Sequence, residues 1–577
     1  MSAKSFFSIF LFSSFLFLTS CDTGQQQARV LTEANGGKYY GGVFRINEVE
    51  FLRSLYPHNI TEVGGSRIAN QIYEGLVKMN QETLLIEPLI AESWEIDSQA
   101  TLFTFQLRQD VYFHDDPCFP DGKGRLVNAH DFVWSFNKLC EASITNQGFW
   151  IFENRVKGAN EYYASTIEGN PLPEGVSGIR ALDDFTLQIE LEEPFASFLY
   201  ILAMNFTSVF PHEAYEKYGR DMRIHTVGTG PFKLTAIRQD ETVILSRNEN
   251  YWRVDEHGNA LPYLDGVRVS FINDKKAELL EFRKGNLDMM YRLPLELIYD
   301  VINRNDELQP DYSKYQLQYT PTLAIQYYGF LHTNPLFDDI NVRKAFNYAI
   351  NRQTIADFTL KGTGIAAENG FIPPSMPGYN AENVTGYSYN PEKAREYMSK
   401  AGYPNGNGFP PVTLQINTGG GLNEQVAEAA QKMLEETLNI RVNMTRLPFA
   451  QHLENIETGK TDFWRSGWIG SYPDPEYFLN LFHSIHIPDR EDDKSYLNSI
   501  RYRSARYDSV FEAALQTVDF DERMQLYEVA DNIMMEDAAI IPIFYYKDHR
   551  ILQPYVRNFH QNPLEHRDLS TVFFVPE

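Results

Sequence analysis

Cysteine is scarce in this chain. Among its 577 residues there are three, Cys21, Cys118 and Cys140. None of them is accompanied by the paired histidines that a zinc site requires. The sequence therefore predicts no metal site, and no motif in it calls for a bound cofactor.

Positive charge is also in short supply. The 51 lysines and arginines are outnumbered by 77 aspartates and glutamates, which gives a formal net charge of -26. A surface of this sign repels nucleic acid phosphates and anionic lipid head groups. The basic stretches at 275–276 and 501–506 are each diluted by acids, so we expect no nucleic acid partner.

Signatures of catalysis are missing. The chain contains no G-x-S-x-G nucleophile elbow, because "GGSRI" at 64–68 fails at its last position, and no H-E-x-x-H zinc motif. The glycine run at 419–421 lacks the following Gly-Lys-Ser/Thr of a phosphate loop and is interpreted as a turn between a strand and a helix. These absences favour a binding protein over an enzyme.

Long apolar runs are limited to one, "FFSIFLFSSFLFL" at 6–18, which follows Lys4. It is too short for an ordinary transmembrane helix and fits the apolar region of a signal peptide. It ends in "LTSC", which resembles a bacterial lipobox, so we predict a signal peptide at 1–21 and lipidation at Cys21. A plain secretory signal is the alternative. Either predicts an extracytoplasmic protein, and the first predicts that only a lipid holds it to the membrane.

The segment after Cys21 is polar and has neither helical nor strand periodicity, so 22–38 is predicted to be a flexible tether. The remainder is long enough for two or three lobes, because a single core stops growing at a smaller size. An oxidising compartment would permit a disulfide between Cys118 and Cys140, but the spacing of the two cysteines does not decide whether it forms.

Periodicity indicates an α/β fold. Apolar residues alternate through 103–113, as in a half-buried strand, and Asn128 precedes a helical pattern that it is placed to cap. "PVTLQIN" at 411–417 alternates, the helical pattern that follows runs to Leu438, and "IRVNM" at 440–444 alternates again. This strand, helix and strand predict a lobe with a largely parallel sheet.

The order of motifs along the chain resembles the extracytoplasmic solute-binding proteins of family 5, which include the oligopeptide-, dipeptide- and nickel-binding components of ABC importers. The motifs are "PLIAESWEID" (88–97), "FTFQLRQDVYFHDD" (103–116), "NAHDFVWSF" (128–136), "VGTGPFKL" (227–234), "RNENYW" (247–252), "PLFDDINVRKAFNYAINRQTI" (335–355), "YNPEKAREYMSKAGYP" (389–404), "RSGWIGSYPDPEYF" (465–478) and "DAAIIPIFYYKDHRI" (537–551). The resemblance covers essentially the whole chain after residue 39.

The resemblance implies a two-lobed α/β periplasmic-binding-protein fold with an additional domain in the first lobe and a ligand cleft between the lobes. The implied ranges are 39–69, 190–272 and 546–577 for lobe I, 70–189 for the additional domain and 273–545 for lobe II. The lobes would be joined at 271–276 and 544–549. Ligand would bind the closed form better than the open form.

The aromatic segment at 465–478 is expected to form part of the cleft. We predict a strand at 461–466, and open α/β sheets bind ligands at the carboxyl ends of their strands. Trp468 and Tyr472 would then line the cleft with rigid side chains, while Phe478 would belong to the core.

Ser471 departs from the family pattern. The resemblance places an aspartate at this position in peptide binders, where its carboxylate pairs with the α-ammonium group of the peptide. Leaving an ammonium group buried without a partner costs about 3–5 kcal/mol. Either another acid, Glu62 or Asp474, takes its place, or the ligand has no free amino terminus there.

Further ligand-binding residues are implied by the resemblance alone. Arg465 matches an arginine that can meet a ligand carboxylate, although a salt bridge to a nearby acid such as Asp462 is an equal alternative. Tyr545 and Tyr546 match aromatics at the second crossover, and Ser66 lies with Glu62 on a loop of lobe I.

The function implied is that of a monomeric lipoprotein that captures a peptide or peptide-like solute and delivers it to the permease and ATPase of an ABC importer. One alternative keeps this role for an oligosaccharide or other solute without a free amino terminus. The other is an exported lipoprotein hydrolase, which would need two cleft carboxylates about 5–10 Å apart.

Overall fold

The computed structural model describes residues 30–49, 52–60, 62–238, 241–418, 421–490 and 493–576. The predicted signal peptide, Cys21 and the first part of the predicted tether lie outside these ranges, as do two glycines of the run at 419–421. Within the described ranges, no helix has the length and apolar character needed to cross a membrane.

The strands fall into three large sheets and several two-stranded pairs. They are β1 (Thr32–Glu33), β2 (Tyr39–Tyr40), β3 (Val43–Glu48), β4 (Val77–Met79), β5 (Ile86–Pro88), β6 (Ala91–Ile96), β7 (Leu102–Leu107), β8 (Ile179–Asp183), β9 (Thr186–Glu190), β10 (Phe232–Arg238), β11 (Thr242–Arg247), β12 (Gly266–Phe271), β13 (Met289–Tyr291), β14 (Gln316–Phe330), β15 (Gly364–Ala366), β16 (Val412–Asn417), β17 (Val442–Leu447), β18 (Phe463–Ile469), β19 (Ile540–Leu552), β20 (Val556–Arg557) and β21 (Phe573–Phe574).

Helices cover these sheets and connect them. They are α1 (Val63–Ala69), α2 (Ala129–Leu139), α3 (Ala159–Ile167), α4 (Phe198–Leu202), α5 (His212–Tyr218), α6 (Lys275–Arg283), α7 (Ile298–Val301), α8 (Pro335–Asp338), α9 (Ile340–Ala349), α10 (Arg352–Thr354), α11 (Pro391–Lys400), α12 (Gly421–Leu438), α13 (Phe449–Glu457), α14 (Glu476–Leu479), α15 (Ala505–Gln516) and α16 (Phe520–Glu536).

The largest sheet carries the candidate site. Its strand order is β13-β19-β14-β18-β16-β17, with β15 added to β19. The predicted strand, helix and strand are confirmed as β16, α12 and β17, and the two strands are parallel. The prediction of a largely parallel sheet is wrong, because β14 pairs antiparallel with both β18 and β19. Only the β17-β16-β18 edge is parallel.

The two smaller sheets lie in the N-terminal half of the chain. One has the order β10-β11-β12-β3, and the other, β6-β7-β9-β8, is antiparallel throughout. Alternation produces β7 as predicted, since Phe103, Phe105 and Leu107 are buried and face one side. The strand ends at Leu107, earlier than the predicted 113.

Residues 31–38 are not part of a free tether. Strand β1 pairs with β2, and Asn35 exchanges two hydrogen bonds with Asn259, its N–H donating to Oδ1 and its carbonyl accepting from Nδ2, each at 3.0 Å. The predicted tether at 22–38 is therefore too long at its C-terminal end. Composition did not show this, because the partner of Asn35 lies more than two hundred residues away.

Cys118 and Cys140 are both free thiols, so the disulfide that the sequence permits is not formed. Cys140 is fully buried at the C-terminal end of α2. Cys118 lies in a loop whose turn is held by a hydrogen bond from its own N–H to Asp116 Oδ1, at 2.7 Å. Burial raises the pKa of both thiols above the usual value, which makes them unreactive.

The predicted N-cap of α2 is confirmed. Asn128 Oδ1 accepts from the backbone N–H of His130 at 2.9 Å, and Asp131 Oδ2 accepts from the N–H of Asn128 at 3.0 Å. Asn128→Ala is expected to lower the free energy of unfolding by about 1 kcal/mol, because it removes one half of this capping box. Urea denaturation measures the change. Asn128→Asp keeps the acceptor and should cost less, so equal losses in the two variants would contradict a capping role.

Candidate ligand-binding site

Arg465 lies at the centre of a polar cluster formed by three neighbouring strands. On β18, its Nε donates to Gln326 Oε1 of β14 at 2.7 Å, and its Nη1 donates to Asn417 Oδ1 of β16 at 3.0 Å. Gln326 Nε2 in turn donates to the hydroxyl of Tyr546 on β19 at 2.9 Å. The central strands of the largest sheet therefore hold one guanidinium among neutral oxygens.

This guanidinium has no acidic counterpart. Arg465 makes no ion pair with any residue that the structure describes, so the alternative of a salt bridge to Asp462 or Asp474 does not hold. Burial lowers the pKa of Arg465 below its ordinary value, with nearby tyrosine hydroxyls opposing the effect. A largely buried, unpaired cation is costly unless an anion joins it, so the cluster is suited to receive a carboxylate.

Trp468 belongs to an aromatic group on the other face of β18, since it is three residues from Arg465 in a regularly paired strand. Its ring centroid is 5.4 Å from that of Tyr477 and 6.4 Å from that of Tyr496, and its Nε1 donates to the carbonyl of Tyr477 at 2.9 Å. Trp468 is half-buried, and its neighbour Ile469 is 72% exposed. Of these apolar side chains, Ile469 shares the face of β18 that carries Arg465, so it is Ile469 that puts exposed apolar surface on the side of the polar cluster.

The placement of Trp468 differs from the sequence interpretation. The predicted strand at 461–466 continues to Ile469, because β14 pairs with β18 residue by residue up to the Ala324–Ile469 pair. Trp468 is therefore in a strand, held opposite Ile325, and the irregular segment begins at Gly470. The strand fixes the direction of the indole more firmly than a loop would.

Ser471 is exposed and has a neutral partner. Its hydroxyl donates to the hydroxyl of Tyr477 at 2.9 Å. The pair puts an uncharged surface at the position where the family resemblance implies a carboxylate in peptide binders.

Tyr472 and Asp474 are buried in the core, so neither lines an accessible wall. The Tyr472 hydroxyl donates to Glu476. Asp474 Oδ2 accepts from Ser197 Oγ at 2.6 Å, and its Oδ1 accepts from the N–H of Glu476 at 2.9 Å. Arg523 Nη2 lies 3.6 Å from the same carboxylate. Asp474 is thus fully engaged and cannot substitute for the missing acid at Ser471.

Of the two tyrosines at the second crossover, only Tyr546 reaches the polar cluster. Tyr545 is 2% exposed, and its hydroxyl donates to the carbonyl of Gly370 at 2.6 Å. The two side chains point to opposite faces of β19, as successive residues of a strand do. Phe478 is fully buried, as predicted.

Glu62 and Ser66 form a second, separate group on α1 and the segment before it. Glu62 Oε1 pairs with Arg53 Nε at 3.1 Å, while its Oε2 is buried and has no partner. Ser66 Oγ accepts from Asn205 Nδ2. In the described part of the chain, no hydrogen bond or ion pair links this group to the cluster around Arg465.

Sequence reasoning missed four members of the site: Gln326, Asn417, Tyr477 and Tyr496. For two of them, the sequence contained a feature that could have indicated a role in the site. Gln326 is the one polar residue in the apolar run "LAIQYYGF", and Asn417 ends a strand at the sheet edge where ligands bind. No such indication exists in the sequence for Tyr496, because this residue reaches Trp468 only through the packing of its own loop in the folded protein.

A search of the described residues for clusters of three or more His, Cys, Asp or Glu that could hold a metal ion found none. The polar groups of the site are a guanidinium, two amides and hydroxyls, which are hydrogen-bonding groups rather than metal ligands. What the arrangement offers is recognition of an organic solute that carries a carboxylate and apolar surface.

Comparison with known proteins gives a consistent result. Residues 86–486 match the family model described as "Bacterial extracellular solute-binding proteins, family 5 Middle". The chain is 27% identical over 536 residues to the periplasmic oligopeptide-binding protein OppA of Escherichia coli, covering 91% of each chain. It is 28% identical over 505 residues to heme-binding protein A of Haemophilus influenzae, covering 86% of this chain and 85% of that one.

A solved structure shares the fold. The ABC transporter-associated periplasmic binding protein DppA of Helicobacter pylori, in complex with the peptide STSA, superposes with a TM-score of 0.68 at 24% identity, over 93% of this chain and 98% of that one. The predicted fold class, a two-lobed α/β periplasmic-binding-protein fold, is confirmed.

Proposed function

The chain belongs to the family 5 bacterial extracellular solute-binding proteins, and on that basis we propose that it captures a peptide or peptide-like solute for an ABC importer. The relatives differ in the ligands of their names, oligopeptide in one and heme in another. The ligand class of this protein must therefore be argued from its own residues. The observation that carries the proposal is the unpaired guanidinium of Arg465, which lies on the same face of β18 as the exposed side chain of Ile469.

Such a pairing of groups suits one end of a peptide or a similar solute. A carboxylate can accept from the guanidinium of Arg465, whose Nε and Nη1 are already positioned by Gln326 and Asn417. The apolar part of the solute can pack on Ile469, which is exposed on the same face of β18 as Arg465, whereas the Trp468 group lies on the other face. We propose that Glu62, which has one carboxylate oxygen without a partner, pairs with a positively charged group of the solute. It would do so from the lobe opposite Arg465.

We assign the domains by the same reasoning. Lobe I consists of 39–69, 190–272 and 546–577, the additional domain of 70–189, and lobe II of 273–545. The proposal is supported by the three large sheets, since the β10-β11-β12-β3 sheet, the β6-β7-β9-β8 sheet and the seven-stranded sheet each fall mainly within one of these units. The crossover at 544–549 would run inside β19, and that at 271–276 would join β12 to α6.

The mode of attachment is proposed from the sequence around Cys21, and the partners are proposed from the family. We propose that the mature protein begins at a lipidated Cys21, that it is held to the membrane by that lipid alone, and that it acts as a monomer with a permease and an ATPase. The proposal is supported by the lipobox-like "LTSC" that ends at Cys21.

The protein is proposed to perform no chemistry. Its family consists of binding proteins, and the acids of the aromatic segment are occupied by structural partners. Burial raises the pKa of Glu476 to about 7, but its carboxylate is enclosed with Tyr472 rather than facing a cleft. A hydrolase would instead need a pair of accessible carboxylates at catalytic separation.

The neutral Ser471–Tyr477 pair sets a preference for the ligand. We expect the unmodified protein to bind peptides blocked at the amino terminus at least as tightly as free ones. Ser471→Asp should tighten binding of the free peptide by about tenfold or more and leave the acetylated peptide nearly unchanged, because the new carboxylate can pair with an ammonium group. Isothermal titration calorimetry with the two matched peptides measures the difference.

Two results would contradict this preference. One is that the unmodified protein binds free peptides with nanomolar affinity and does not bind the acetylated peptides. The other is an equal gain for both peptides in the Ser471→Asp variant. Ser98→Asp, which adds the same charge at an exposed turn between β6 and β7, serves as the control.

The proposed function is tested most directly by native mass spectrometry of protein purified from its host without denaturation. A retained solute of peptide-like mass and fragmentation, released on unfolding, is the expected result. Retention of a carbohydrate would favour the alternative ligand class, and cleavage of added peptides on incubation would overturn the assignment as a binding protein.

A further inference from the structure

A polar crevice opens between the N-terminal segments and the C-terminal segment of the chain, away from the solute site. Its walls come from residues 70–78, 89, 203–208, 231, 251–253 and 566–568, and none comes from the seven-stranded sheet. The polar side chains that line it include Asn70, Lys78, Arg253, His566, Arg567 and Asp568. Nothing in the function proposed above makes use of this crevice.

Among the charged side chains that line the crevice, the cations Lys78, Arg253 and Arg567 outnumber the acids Glu74 and Asp568. Lys78 Nζ and Arg253 Nη1 both approach Asp568 Oδ2, at 3.1 and 3.2 Å. Burial acts to raise the pKa of Asp568, but the charges of Lys78 and Arg253 outweigh it and hold that pKa well below its usual range. Lys78 and Arg253 therefore share the Asp568 carboxylate, Lys78 also lies 3.7 Å from Glu87 Oε2, and both cations keep 17–19% of their side chains exposed.

The other acid in the wall does not offset this excess. Glu74 accepts hydrogen bonds from the Tyr251 hydroxyl at 2.7 Å, from Thr229 Oγ1 at 2.8 Å and from Trp252 Nε1 at 3.1 Å. Its carboxylate is thereby saturated by neutral donors. Burial raises the pKa of Glu74, against hydrogen bonds from Tyr251, Trp252 and Thr229 that lower it.

A buried donor in the same wall has no partner. Arg567 is 1% exposed, and its Nη1 and Nε donate to Glu48 at 2.6 Å and Glu565 at 3.1 Å, while its Nη2 makes no hydrogen bond. Glu48 and Glu565 are shared with two further arginines, Arg67 at 3.1 Å and Arg550 at 3.2 Å. Three arginines thus face two acids, so positive charge is in excess here as well.

From these contacts we infer that the crevice is a second binding site, for a small oxyanion of the phosphate or carboxylate class. The chain as a whole carries a net charge of -26 and repels anions at long range. Against that background, Lys78, Arg253 and the free Nη2 of Arg567 supply charge-assisted donors in a confined space, where such hydrogen bonds are strongest. The site is formed without lobe II, so it does not depend on the proposed solute or on closure of a cleft.

The test is calorimetric titration of the full-length protein with inorganic phosphate and, separately, with acetate at low ionic strength. Saturable binding of one equivalent of either anion is expected. Lys78→Gln and Arg253→Gln should each weaken it by about tenfold, because each removes one charge-assisted donor. Asp568→Asn should tighten it, since Lys78 and Arg253 then lack their shared acid, and a gain of binding cannot result from misfolding.

Two controls locate the site. Because the unpaired Arg465 can itself bind an anion, the titrations are repeated in an Arg465→Gln background, where the effects of Lys78→Gln, Arg253→Gln and Asp568→Asn should persist. Lys400→Gln removes an exposed lysine that pairs with Glu396 and should also have no effect. If Lys78→Gln does not fold, two other variants decide the matter. Lys78→Arg keeps the charge and should bind the anion like the unmodified protein, and Asp568→Asn should bind it more tightly. No binding of either anion, loss of binding in Arg465→Gln alone, or weaker binding in Asp568→Asn would overturn the inference.

Discussion

Replacing Arg465 with methionine is expected to weaken binding of a solute with a free carboxylate by roughly 30-fold to several thousandfold, equivalent to about 2–5 kcal/mol. The guanidinium is held by Gln326 and Asn417 and has no protein anion to satisfy it. Methionine fills a similar volume without charge, so the ligand carboxylate would be buried with no partner. Calorimetry with the natural solute, once identified, or with a test peptide measures the loss.

Two controls make this result specific. Arg446→Met removes an exposed arginine of β17, 41% exposed and paired with Glu424 and Glu428 of α12, and should change affinity by less than about twofold. The same peptide amidated at its carboxyl terminus should bind the unmodified protein weakly and be little affected by Arg465→Met. If the amidated and free peptides lose affinity equally in the variant, Arg465 does not meet a carboxylate.

Replacing Arg567 with methionine is expected to lower the free energy of unfolding by about 3–5 kcal/mol at neutral pH. Its guanidinium pairs with Glu48 and Glu565, both of which are buried. Burial acts to raise the pKa of these carboxyls, but the charges of Arg567 and its neighbouring arginines outweigh it, so both pKa values are lowered. Removing Arg567 leaves two buried carboxylates that must share fewer cations.

The effect should depend on pH in a defined direction. In the unmodified protein, lowered carboxyl pKa values stabilise the fold above the unfolded value of about 4.3, and this contribution is lost as pH falls through the folded-state pKa. In the variant, Glu48 and Glu565 keep Arg67 and Arg550 but lose Arg567, so their pKa values rise above those in the unmodified protein. Protonation then relieves the penalty, so the difference between the two proteins should shrink as pH is lowered from 7 towards 5.

Chemical denaturation at a series of pH values measures both quantities. Arg446→Met is again the matched control, because an exposed ion pair contributes at most about 1 kcal/mol. A difference for Arg567→Met that is below 1 kcal/mol, or that grows as pH is lowered, would show that the network around Glu48 and Glu565 does not stabilise the fold in this way.

Local features were predictable from the sequence, since they depend on residues close together in the chain. The strand, helix and strand at β16, α12 and β17 follow from apolar periodicity, and the start of α2 follows from Asn128 three residues before Asp131. Family membership was also readable, because many weak motifs in a fixed order are jointly specific. The alternation around 461–466 located a strand but not its end.

The composition of the site was decided by tertiary structure. Arg465 gains its partners from residues 139 and 48 positions away, Gln326 and Asn417, and pairing with β14 extends β18 through Trp468. Asp474 looked available in the sequence but is buried against Ser197, 277 residues distant. Burial and pairing of a polar side chain depend on which strands meet in space, and the residues adjacent in the chain carry no information about that.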